Sequence, residues 1–367
     1  MSKKLNFNFD KSNLRNQNRY NFHINKYPNG MHMESKKLQK IHNEILQWYE
    51  LNGRKYLPWR NLSGENAPYG VYVSEIMLQQ TQVSTVLGKY YEPFLSEFPT
   101  LEALSNSDEE RVLRLWRGLG YYSRASNMLK TAKICGKYLP SEPKELLKLP
   151  GIGEYSAGAI ACFGFRKSVS FVDANIRRVL SRFFALKSPS MKELQKLAQK
   201  ILNHQNSFDH NQALLDIGAM VCLPIDPKCK MCPLQNWCEG QGDALVYTQK
   251  KKITYESLSL NLGVCVFEDK IGLVKSQTSL YRGLYNFPKI VKTTEGGILN
   301  FPFLGEFKHS YTRYKLNIKA YLIMDADFLE KEIEFFGLNE FERLPMSKMA
   351  LKVLDLIKEK EFFRSIV

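Results

Sequence analysis

No stretch of this 367-residue sequence is apolar over the roughly 18 residues that a membrane-spanning helix needs. The first residues also lack the charged-then-apolar order of a secretory signal. We therefore expect an intracellular protein of the cytoplasm or nucleoid, with organellar import through the basic N-terminus as the less favoured alternative. No segment repeats at a fixed period, which gives no ground for a repeat architecture. A hydrophobic content of 44% suffices for packed cores, and the length fits two domains and a tail.

Acidic residues are scarce relative to basic ones. The chain has 37 Asp and Glu against 52 Lys and Arg, which gives a formal net charge of +15. Such an excess attracts a polyanion, and nucleic acid is the commonest polyanion inside cells. A membrane surface, or no partner at all, would fit the charge as well, so charge alone does not select a function.

Cysteines are few outside one short window. The chain has seven, an odd number, and four of them lie between Cys222 and Cys238 in the spacing C-x6-C-x2-C-x5-C. In a reducing compartment such clustering favours metal ligation over disulfides. The thiolates of Cys222, Cys229, Cys232 and Cys238 could hold zinc or a 4Fe–4S cluster. Zinc sites usually use two short CxxC-like pairs, and this window has one, so the spacing disfavours zinc. The spacing is also unlike the bacterial ferredoxin run, so it does not by itself identify the cluster.

Composition predicts four parts of the chain. Residues 1–34 form a basic extension, and its first 30 residues include eight Asn and one Asp without apolar periodicity, so we expect disorder. A transit peptide, or sequence upstream of a start at Met31 or Met33, are the alternatives. Residues 35–240 show helical periodicity and no strand pattern, residues 241–257 form a polar linker, and residues 258–367 form an α+β domain.

The predicted elements follow from the period of the apolar residues. Beyond a first helix around residues 38–49, helices are predicted over Ser74–Tyr91, Ser107–Leu115, Ser123–Tyr138, Glu154–Phe163, Asn175–Phe184, Met191–Leu202 and Gln212–Val221. In the last part, strands are predicted over Leu258–Phe267, Ile271–Lys275 and Leu316–Met324, and a closing helix over Met346–Lys360.

A glycine hairpin lies in the middle of the helical part, in the sequence LPGIGEYSAGAIA from Leu149 to Ala161. Gly151 and Gly153 leave the backbone free to turn tightly, and a helix starting near Glu154 would point unpaired amides outward. This arrangement suits a phosphate, although a glycine can also simply end a helix. Downstream, Asp173 precedes a helix in VDANIRRVLSR, where an N-cap is the ordinary role of an aspartate.

Together, the hairpin, VDANI and the cysteine loop resemble the endonuclease III and MutY families of DNA glycosylases. LPWR (Leu57–Arg60), VSEIMLQQTQV (Val73–Val83) and GLGYYSRA (Gly118–Ala125) are similar to the MutY branch in particular. The resemblance spans residues 38–240 almost continuously. It implies an all-α helix–hairpin–helix glycosylase core with an iron–sulfur cluster loop, and a monomer acting on double-stranded DNA that carries A:8-oxoG or A:G mispairs. One departure is Ala174, where the family usually has Gly.

By this resemblance, two carboxylates carry the chemistry. Glu75 would protonate the departing adenine at N7, which requires a pKa raised by a dry setting such as Ile76, Met77 and Leu78 provide. Asp173 would stabilise the oxocarbenium-like sugar, much as in glycosidases with two carboxylates. The ordinary alternative for Glu75 is a carboxylate favoured by the dipole of the first helical turn.

The resemblance also assigns residues to DNA and substrate. Adenine must be flipped out of the duplex, and Gln80 and Tyr121 would fill the gap. The lyase branch has a nucleophilic Lys where Tyr155 stands, so the chain is expected not to cut the strand. Further pocket and phosphate contacts are expected from Trp59, Arg60, Gly151, Gly153, Asn175, Gln212, Lys228 and Lys230.

Residues 258–367 resemble, more weakly, the Nudix-like C-terminal domain of MutY proteins, most clearly in YRGLYNFP (Tyr281–Pro288). The glutamate-rich hydrolase signature is absent, so no pyrophosphatase activity is predicted. Where the family senses 8-oxoguanine with the loop F-S-H, this chain has Tyr311, Thr312 and Arg313. An aromatic ring and a hydroxyl are kept, but Arg cannot accept a hydrogen bond as His can, so a weaker 8-oxoguanine preference is expected.

Two other functions compete with adenine excision. One is a relative that acts on G·T mismatches or oxidised pyrimidines, and the presence of Glu75 and the absence of a hairpin Lys argue against it. The other is an iron–sulfur DNA-binding or redox-sensing protein without catalysis. Such a protein is expected to lack Glu75 or Asp173, and this chain has both.

Overall fold

The structure is a computed structural model, and it describes residues 35–247, 254–277, 281–292, 300–311, 313–330 and 332–358. The predicted N-terminal extension, part of the predicted linker, and Thr312 with the side chain of Tyr311 lie outside the described residues. Among the described helices, none combines the length and apolar character needed to cross a membrane.

The described residues form two compact units. The first unit combines residues 35–54 with 166–247, and the second combines residues 55–165 with 254–358. The second unit therefore contains the helices of residues 55–165 together with the C-terminal sheet. The sequence-based division into a helical domain over 35–240 and a second domain over 258–367 stays a prediction.

Short helices make up the described chain before the cysteine loop. They are α1 Ser35–Asn52, α2 Ala67–Leu78, α3 Val83–Val86, α4 Tyr91–Glu97, α5 Leu101–Ser105, α6 Glu109–Leu115, α7 Ser123–Cys135, α8 Pro143–Leu146, α9 Glu154–Ala159, α10 Ala174–Phe183, α11 Met191–Ile201 and α12 Ser207–Asp216. The prediction of an all-helical segment is confirmed, since the sheet is confined to residues after 255 in the part of the chain that is described.

Side-chain caps fix where several helices begin, because an oxygen of the preceding residue accepts an otherwise unpaired backbone N–H. Thr100 caps α5 and Asp108 caps α6. Ser190 and Glu193 form a capping box at α11. Asp173 caps α10 through the N–H of Ile176, which confirms the capping role predicted from sequence.

The predicted helix over Ser74–Tyr91 is wrong in its second half. Helix α2 ends at Leu78, and Gln80 takes a left-handed backbone with φ of +58° before the short α3. The apolar period continues through this segment, so the sequence pattern does not reveal the break. The last carbonyls of α2 are hydrogen-bonded by Arg124 of α7, a residue distant in sequence.

Two helices continue as π-helical turns in which a glycine allows close packing. Helix α9 runs into Ile160–Gly164, and a Cβ at Gly164 would stand 2.8 Å from Pro68 Cα. Helix α12 runs into Ile217–Val221, and a Cβ at Gly218 would stand 2.6 Å from Asn175 Cβ. Both distances are below any van der Waals contact, so each glycine is required by proximity.

Six strands form a mixed sheet in the described C-terminal part: β1 Glu256–Phe267, β2 Lys270–Lys275, β3 Tyr285–Asn286, β4 Phe303–Tyr311, β5 Tyr314–Ile323 and β6 Ile333–Gly337. The order is β3-β2-β1-β5-β4, with β6 paired to β2. Strands β1 and β5 are parallel, and β4 and β5 form an antiparallel hairpin in which Tyr311 pairs with Tyr314. Helix α13, Lys348–Lys358, packs against β4.

The three predicted strands and the closing helix are confirmed as β1, β2, β5 and α13, with ends displaced by a few residues. Strands β3, β4 and β6 were missed. Strand β4 contains Glu306, Lys308 and Ser310 on its exposed side, and only His309 is fully buried among its described side chains. An edge strand with so few buried apolar residues carries little periodic signal.

Candidate active site

Helix α2 places Glu75 in a dry setting. Its side chain is 6% exposed, and Ile76 and Met77 beside it are 1% and 0% exposed. The helix is buried along most of its length, which explains why it shows no amphipathic stripe. The carboxyl group of Glu75 is therefore largely removed from bulk water.

The turn after α2 presents two glutamines. Gln79 is half-buried and its Nε2 donates to Ser156 Oγ at 3.1 Å, which links α2 to helix α9. Gln80 is exposed and has a left-handed backbone. Such a backbone costs a non-glycine residue on the order of 1–3 kcal/mol and is retained where the surroundings impose it.

The second turn, between α6 and α7, carries Tyr121. Gly118 and Gly120 have φ of +89° and +78°, and Tyr121 itself has φ of +49°. The indole N–H of Trp116 donates to the Gly120 carbonyl at 3.0 Å, which holds the turn against the helix before it. The residue predicted to enter DNA thus has, like Gln80, a left-handed backbone.

Gln80 and Tyr121 line one cavity of about 220 Å³. The lining set also includes Tyr72, Ile76, Gln79, Ser123, Arg124, Asn127, Met128, Pro150 and Gly151. The end of α2, the turn at Tyr121 and the glycine hairpin therefore meet around the same space. The structure brings together three of the motifs singled out in the sequence.

In the hairpin, the two glycines have different roles. Gly151 has φ of +77°, and a Cβ there would stand 3.0 Å from Asn127 Cβ, so this position requires glycine. Gly153 has extended backbone, and a Cβ there would meet nothing within 4 Å, so the prediction that it serves a tight turn is wrong. Because Gly153 has no side chain, the space beside the start of α9 stays unfilled. Tyr155, in the first turn of α9, is half-buried.

The LPWR segment forms a short 3-10 helix over Pro58–Arg60. Trp59 is 7% exposed and packs edge-to-face on Tyr91, with ring centroids 5.1 Å apart. Arg60 is 9% exposed. Trp59 is thus part of the core of its unit.

The first unit holds the second predicted carboxylate, Asp173, and both its oxygens are engaged. Oδ1 accepts from the Ile176 N–H at 2.6 Å, and Oδ2 accepts from the Asn175 side chain at 3.0 Å. Burial raises the pKa of Asp173 above its usual value, and these hydrogen bonds together with the charge of Arg178 oppose the rise. The carboxyl group is held in one orientation by its own helix.

Gln212 of α12 is 1% exposed, and its Oε1 accepts from the Tyr49 hydroxyl at 3.1 Å. Its Nε2 is buried and has no hydrogen-bond partner within the described residues. A buried amide N–H without an acceptor costs free energy, so its retention suits a group that meets an acceptor on a ligand.

Two arginines of α10 hold the start of the cysteine loop. Arg178 Nε donates to the Cys222 carbonyl at 2.6 Å. Arg182, only 2% exposed, donates to Cys222 Sγ at 3.3 Å and to the carbonyl of Leu223 at 2.7 Å. The helix that begins at Asp173 is thereby joined to the predicted ligand loop.

The four cysteines lie in one neighbourhood, since Cys222, Cys229 and Cys238 all act electrostatically on the Cys232 thiol. Burial raises the pKa of Cys232 to about 12 and that of Cys238 to about 11, so ligation has to displace their protons. Within the described chain, no group of three or more His, Cys, Asp or Glu is arranged to hold a metal ion. Four thiols nevertheless fit an iron–sulfur cluster in number and kind.

The loop around these cysteines presents positive charge. Lys228 and Lys230 are both exposed, as the sequence predicts. The backbone N–H of Lys228 donates to the Val221 carbonyl at 2.9 Å, which closes the loop back on helix α12's π-helical extension.

At the β4–β5 hairpin, Arg313 is engaged locally. Its Nε lies 3.3 Å from Glu256 Oε1, and its Nη2 donates to the Tyr314 hydroxyl at 3.1 Å. The expected attraction of this guanidinium to phosphate is therefore partly offset by a neighbouring carboxylate. Strands β4 and β5 pair as far as Tyr311 and Tyr314, so Arg313 directly precedes the first residue of β5.

Sequence reasoning missed Arg124, Tyr122 and Arg117, which hold the turn at Tyr121 in place. Arg124 is 7% exposed on a helix whose neighbours Ala125 and Met128 are buried. A charged residue within an apolar helical period is the signal that could have identified it, because an arginine is rarely buried without several acceptors.

Each unit thus holds one of the two predicted catalytic carboxylates. Glu75, Gln80, Tyr121 and the glycine hairpin belong to the second unit. Asp173, Asn175, Gln212 and the cysteine loop belong to the first.

Similarity to known proteins identifies the family of this chain. The model of the HhH-GPD superfamily of base excision DNA repair proteins matches residues 73–204. The adenine DNA glycosylase of Buchnera aphidicola subsp. Baizongia pistaciae is 36% identical over 308 residues, which are 77% of this chain and 86% of that protein. The adenine DNA glycosylase of Mus musculus is 40% identical over 213 residues, 54% of this chain and 41% of that protein.

Among solved structures, a thermostable thymine-DNA glycosylase is similar with a TM-score of 0.51 and 28% sequence identity, covering 56% of this chain and 96% of that chain. The helical glycosylase core predicted from the motifs is confirmed, followed by a mixed sheet. The similarity to the Buchnera enzyme extends over most of this chain and most of that protein. The chain therefore belongs to the adenine DNA glycosylases, base excision repair enzymes that hydrolyse an N-glycosyl bond.

Proposed function

We propose that this enzyme removes adenine mispaired with 8-oxoguanine or guanine from duplex DNA and leaves the backbone intact. The observation that carries the proposal is the buried Glu75 on the helix whose following turn, with Tyr121, lines a single cavity. The partner is double-stranded DNA, consistent with the net charge of +15.

Glu75 is proposed as the general acid. Adenine is a poor leaving group as an anion, and protonation at N7 lets it depart neutral. A carboxyl group can donate that proton near neutral pH only if its neutral form is favoured, and removal from water favours the neutral form. The 6% exposure of Glu75 supports this role.

Asp173 is proposed to stabilise the cation that develops on the sugar, or to bond to it. A carboxylate can do so only if it is ionised and correctly oriented. The hydrogen bonds from Ile176 and Asn175 favour the ionised form and fix its orientation. Asn175 therefore acts on DNA chemistry through Asp173.

Flipping the adenine leaves a gap in the base stack, and unstacking costs a few kcal/mol. Gln80 and Tyr121 are proposed to fill that gap, since both side chains line one cavity. The unpaired Nε2 of Gln212 is proposed to donate to the flipped base. Trp59, Arg60 and Tyr155 are proposed to line the pocket.

Phosphates are proposed to bind at two places. At the hairpin, Gly153 at the start of α9 has open space beside it, since a Cβ there would meet nothing within 4 Å, and a phosphate could approach the backbone there. At the cysteine loop, Lys228 and Lys230 supply exposed ammonium groups. Such contacts hold the DNA without reading its sequence, so base selection falls to the pocket.

Cys222, Cys229, Cys232 and Cys238 are proposed to hold one 4Fe–4S cluster. When bound, the cluster would fix the fold of the loop that carries Lys228 and Lys230. Arg182, through its hydrogen bond to Cys222 Sγ, orients one of the ligands.

The C-terminal sheet is proposed to be a Nudix-like lesion-recognition domain over residues 258–367, joined through a linker over residues 241–257. Its hairpin of Tyr311, Thr312 and Arg313 is proposed to contact the base opposite adenine. Arg313 cannot accept a hydrogen bond from the opposing base as a histidine can, and this supports a weak, rather than strict, preference for 8-oxoguanine over guanine.

The proposal is tested by single-turnover assays on duplexes with 8-oxoG:A, G:A, G:T and thymine glycol, each with and without alkali. Adenine release from the first two duplexes, with strand breaks only after alkali, is expected, because Tyr155 stands in place of a nucleophilic Lys. Glu75→Gln keeps the shape and loses the proton, so its rate should fall by about 100-fold or more while DNA binding persists. Preferred cleavage at thymine glycol, or normal activity of Glu75→Gln, would overturn the proposal.

A further inference from the structure

Arg124 is a buried cation that lies between the two turns carrying Gln80 and Tyr121. It belongs to helix α7 and is 7% exposed. The acceptors around its guanidinium are backbone carbonyls and one hydroxyl, all neutral, and no carboxylate pairs with it in the described part of the chain. Burial removes the hydration of the guanidinium, and here hydrogen bonds to neutral acceptors, rather than an ion pair, have to offset that loss.

The first group of acceptors ends helix α2. Nη1 donates to the carbonyls of Ile76 at 3.0 Å, Met77 at 2.8 Å and Gln79 at 2.6 Å. Nη2 donates to Thr81 Oγ1 at 3.2 Å. The last carbonyls of a helix lack partners and carry the negative end of the helix dipole, so they suit a cation. Arg124 thus holds the backbone on both sides of Gln80.

The second group of acceptors belongs to the other turn. Nη2 donates to the Gly120 carbonyl at 3.0 Å, and Nε donates to the Tyr121 carbonyl at 3.4 Å. The guanidinium also lies 5.4 Å from the ring centroids of Trp116 and Tyr121. One planar group therefore holds the turn at Tyr121 by its backbone and lies near its ring.

Both turns are left-handed at a residue that is not glycine, and the same guanidinium bonds to both. We propose that Arg124 is a positioning residue that fixes Gln80 and Tyr121 relative to each other before DNA binds. The inference rests on the proposed role of these two side chains in filling the gap left by flipped adenine. It adds that their spacing is set by a buried arginine rather than acquired on binding.

A lysine at position 124 could not make the hydrogen bonds to both turns at once. Arginine presents five N–H donors in a rigid plane, whereas lysine presents three donors on a single atom. Arg124→Lys therefore keeps the charge and loses the simultaneous contact with both turns. Thr81→Val keeps the size of the side chain and removes one acceptor of the first group, together with the long hydrogen bond that Thr81 Oγ1 donates to the Gln79 carbonyl at 3.4 Å.

The test is a double-mutant cycle on full-length enzyme that combines Arg124→Lys with Gln80→Ala/Tyr121→Ala. If Arg124 acts through the two side chains, Arg124→Lys slows single-turnover adenine excision about tenfold or more in the wild-type background, since small misplacements are costly. In the Gln80→Ala/Tyr121→Ala background it should slow excision by less than about threefold, because coupled residues are not additive. The dissociation constant for product-like DNA should change little.

Arg111→Lys is the matched control, because Arg111 contacts Glu97 and the ring of Phe98 at an exposed site away from both turns. It should leave excision unchanged. If Arg124→Lys does not fold, Thr81→Val takes its place in the cycle, with a smaller effect in the same direction.

The outcomes separate the two proposals. If Gln80→Ala/Tyr121→Ala leaves excision at the wild-type rate, the proposed gap-filling role is wrong. If that variant is slow and Arg124→Lys slows it further by the full wild-type factor, Arg124 is only a structural residue and the inference is overturned.

Discussion

The hydroxyl of Tyr122 lies between the turn that carries Tyr121 and the C-terminal part of the chain. It accepts from the Gly118 N–H at 3.0 Å and donates to the Met346 carbonyl at 3.2 Å. Next to it, Arg117 Nη1 donates to the Phe341 carbonyl at 2.8 Å. The segment before α13 is therefore hydrogen-bonded to the turn that we propose to contact DNA.

Tyr122→Phe removes this link without changing the size of the side chain. The Gly118 N–H and the Met346 carbonyl lose a partner, so we expect a loss of about 1–2 kcal/mol in unfolding free energy. Adenine excision should slow as well, because the turn at Tyr121 is less well fixed. Chemical denaturation and single-turnover rates measure the two effects.

Tyr69→Phe is the control, since Tyr69 is equally buried and donates to the Phe98 carbonyl at 3.0 Å. It should lose similar stability with little change in excision. Equal slowing by both variants would mean that Tyr122 affects activity only through stability.

Asp173→Asn separates the two roles of this residue. Asparagine caps a helix as well as aspartate does, so α10 should keep its start. Because burial raises the pKa of Asp173, removing its charge favours the folded state at pH 7, whereas the amide nitrogen that replaces Oδ2 can no longer accept from Asn175, so we expect a small net change in the free energy of unfolding. Excision should be lost with the charge.

Asp173→Ala should lose excision and, in addition, about 1 kcal/mol of stability through loss of the cap. Thermal unfolding of both variants, beside single-turnover assays, gives the comparison. Substantial activity in Asp173→Asn would show that the carboxylate charge is dispensable.

The burial of His210 leads us to expect that the free energy of unfolding decreases in acid. It is fully buried, and burial lowers its pKa from 6.5 to about 3, with the charges of His42 and His204 as smaller causes. The unfolded chain takes up this proton near pH 6.5, whereas the folded chain does not until about pH 3. The contribution of neutral His210 to the free energy of unfolding is therefore fully present above pH 6.5. Below about pH 6 the free energy of unfolding falls by about 1.4 kcal/mol per pH unit.

His210→Phe should reduce that slope, whatever its absolute stability. A smaller slope remains expected, since burial also lowers the pKa of His42 and His309. His204→Gln, at an exposed position, is the control and should keep most of the slope. Denaturation between pH 7 and 5 tests this, and an unchanged slope in His210→Phe would contradict it.

Arg313→His should widen the preference for 8-oxoG:A over G:A. Histidine restores an acceptor and removes a cation whose attraction to phosphate is the same for both bases. A base-specific contact is worth about 1–3 kcal/mol, so the ratio of rates should rise severalfold or more. Glu256→Gln controls for breaking the ion pair alone, and it should leave the ratio unchanged. A ratio that does not respond to Arg313→His would remove this hairpin from lesion recognition.

Metal content tests the proposed cluster. The purified protein should be brown and contain about four irons per chain, as four thiolates around one cluster require. Cys232→Ser should lower the iron content and DNA affinity together, because Lys228 and Lys230 lie on the same loop. Cys135→Ser, at a cysteine outside that loop, should change neither. One zinc and no iron would contradict the proposal.

The residue order by itself determined the local features. Motif spacing identified the family, the helical segment, the hairpin and the cap at Asp173, because each depends on residues a few positions apart. It failed where distant residues decide the backbone. At the break after Leu78, the carbonyl of Gln79 next to the left-handed Gln80 is hydrogen-bonded by Arg124, which lies more than 40 positions later. The link from Tyr122 to Met346 spans 224 positions. Such contacts form only when the chain folds, because a buried hydrogen-bonding group accepts whichever partner the tertiary structure brings to it.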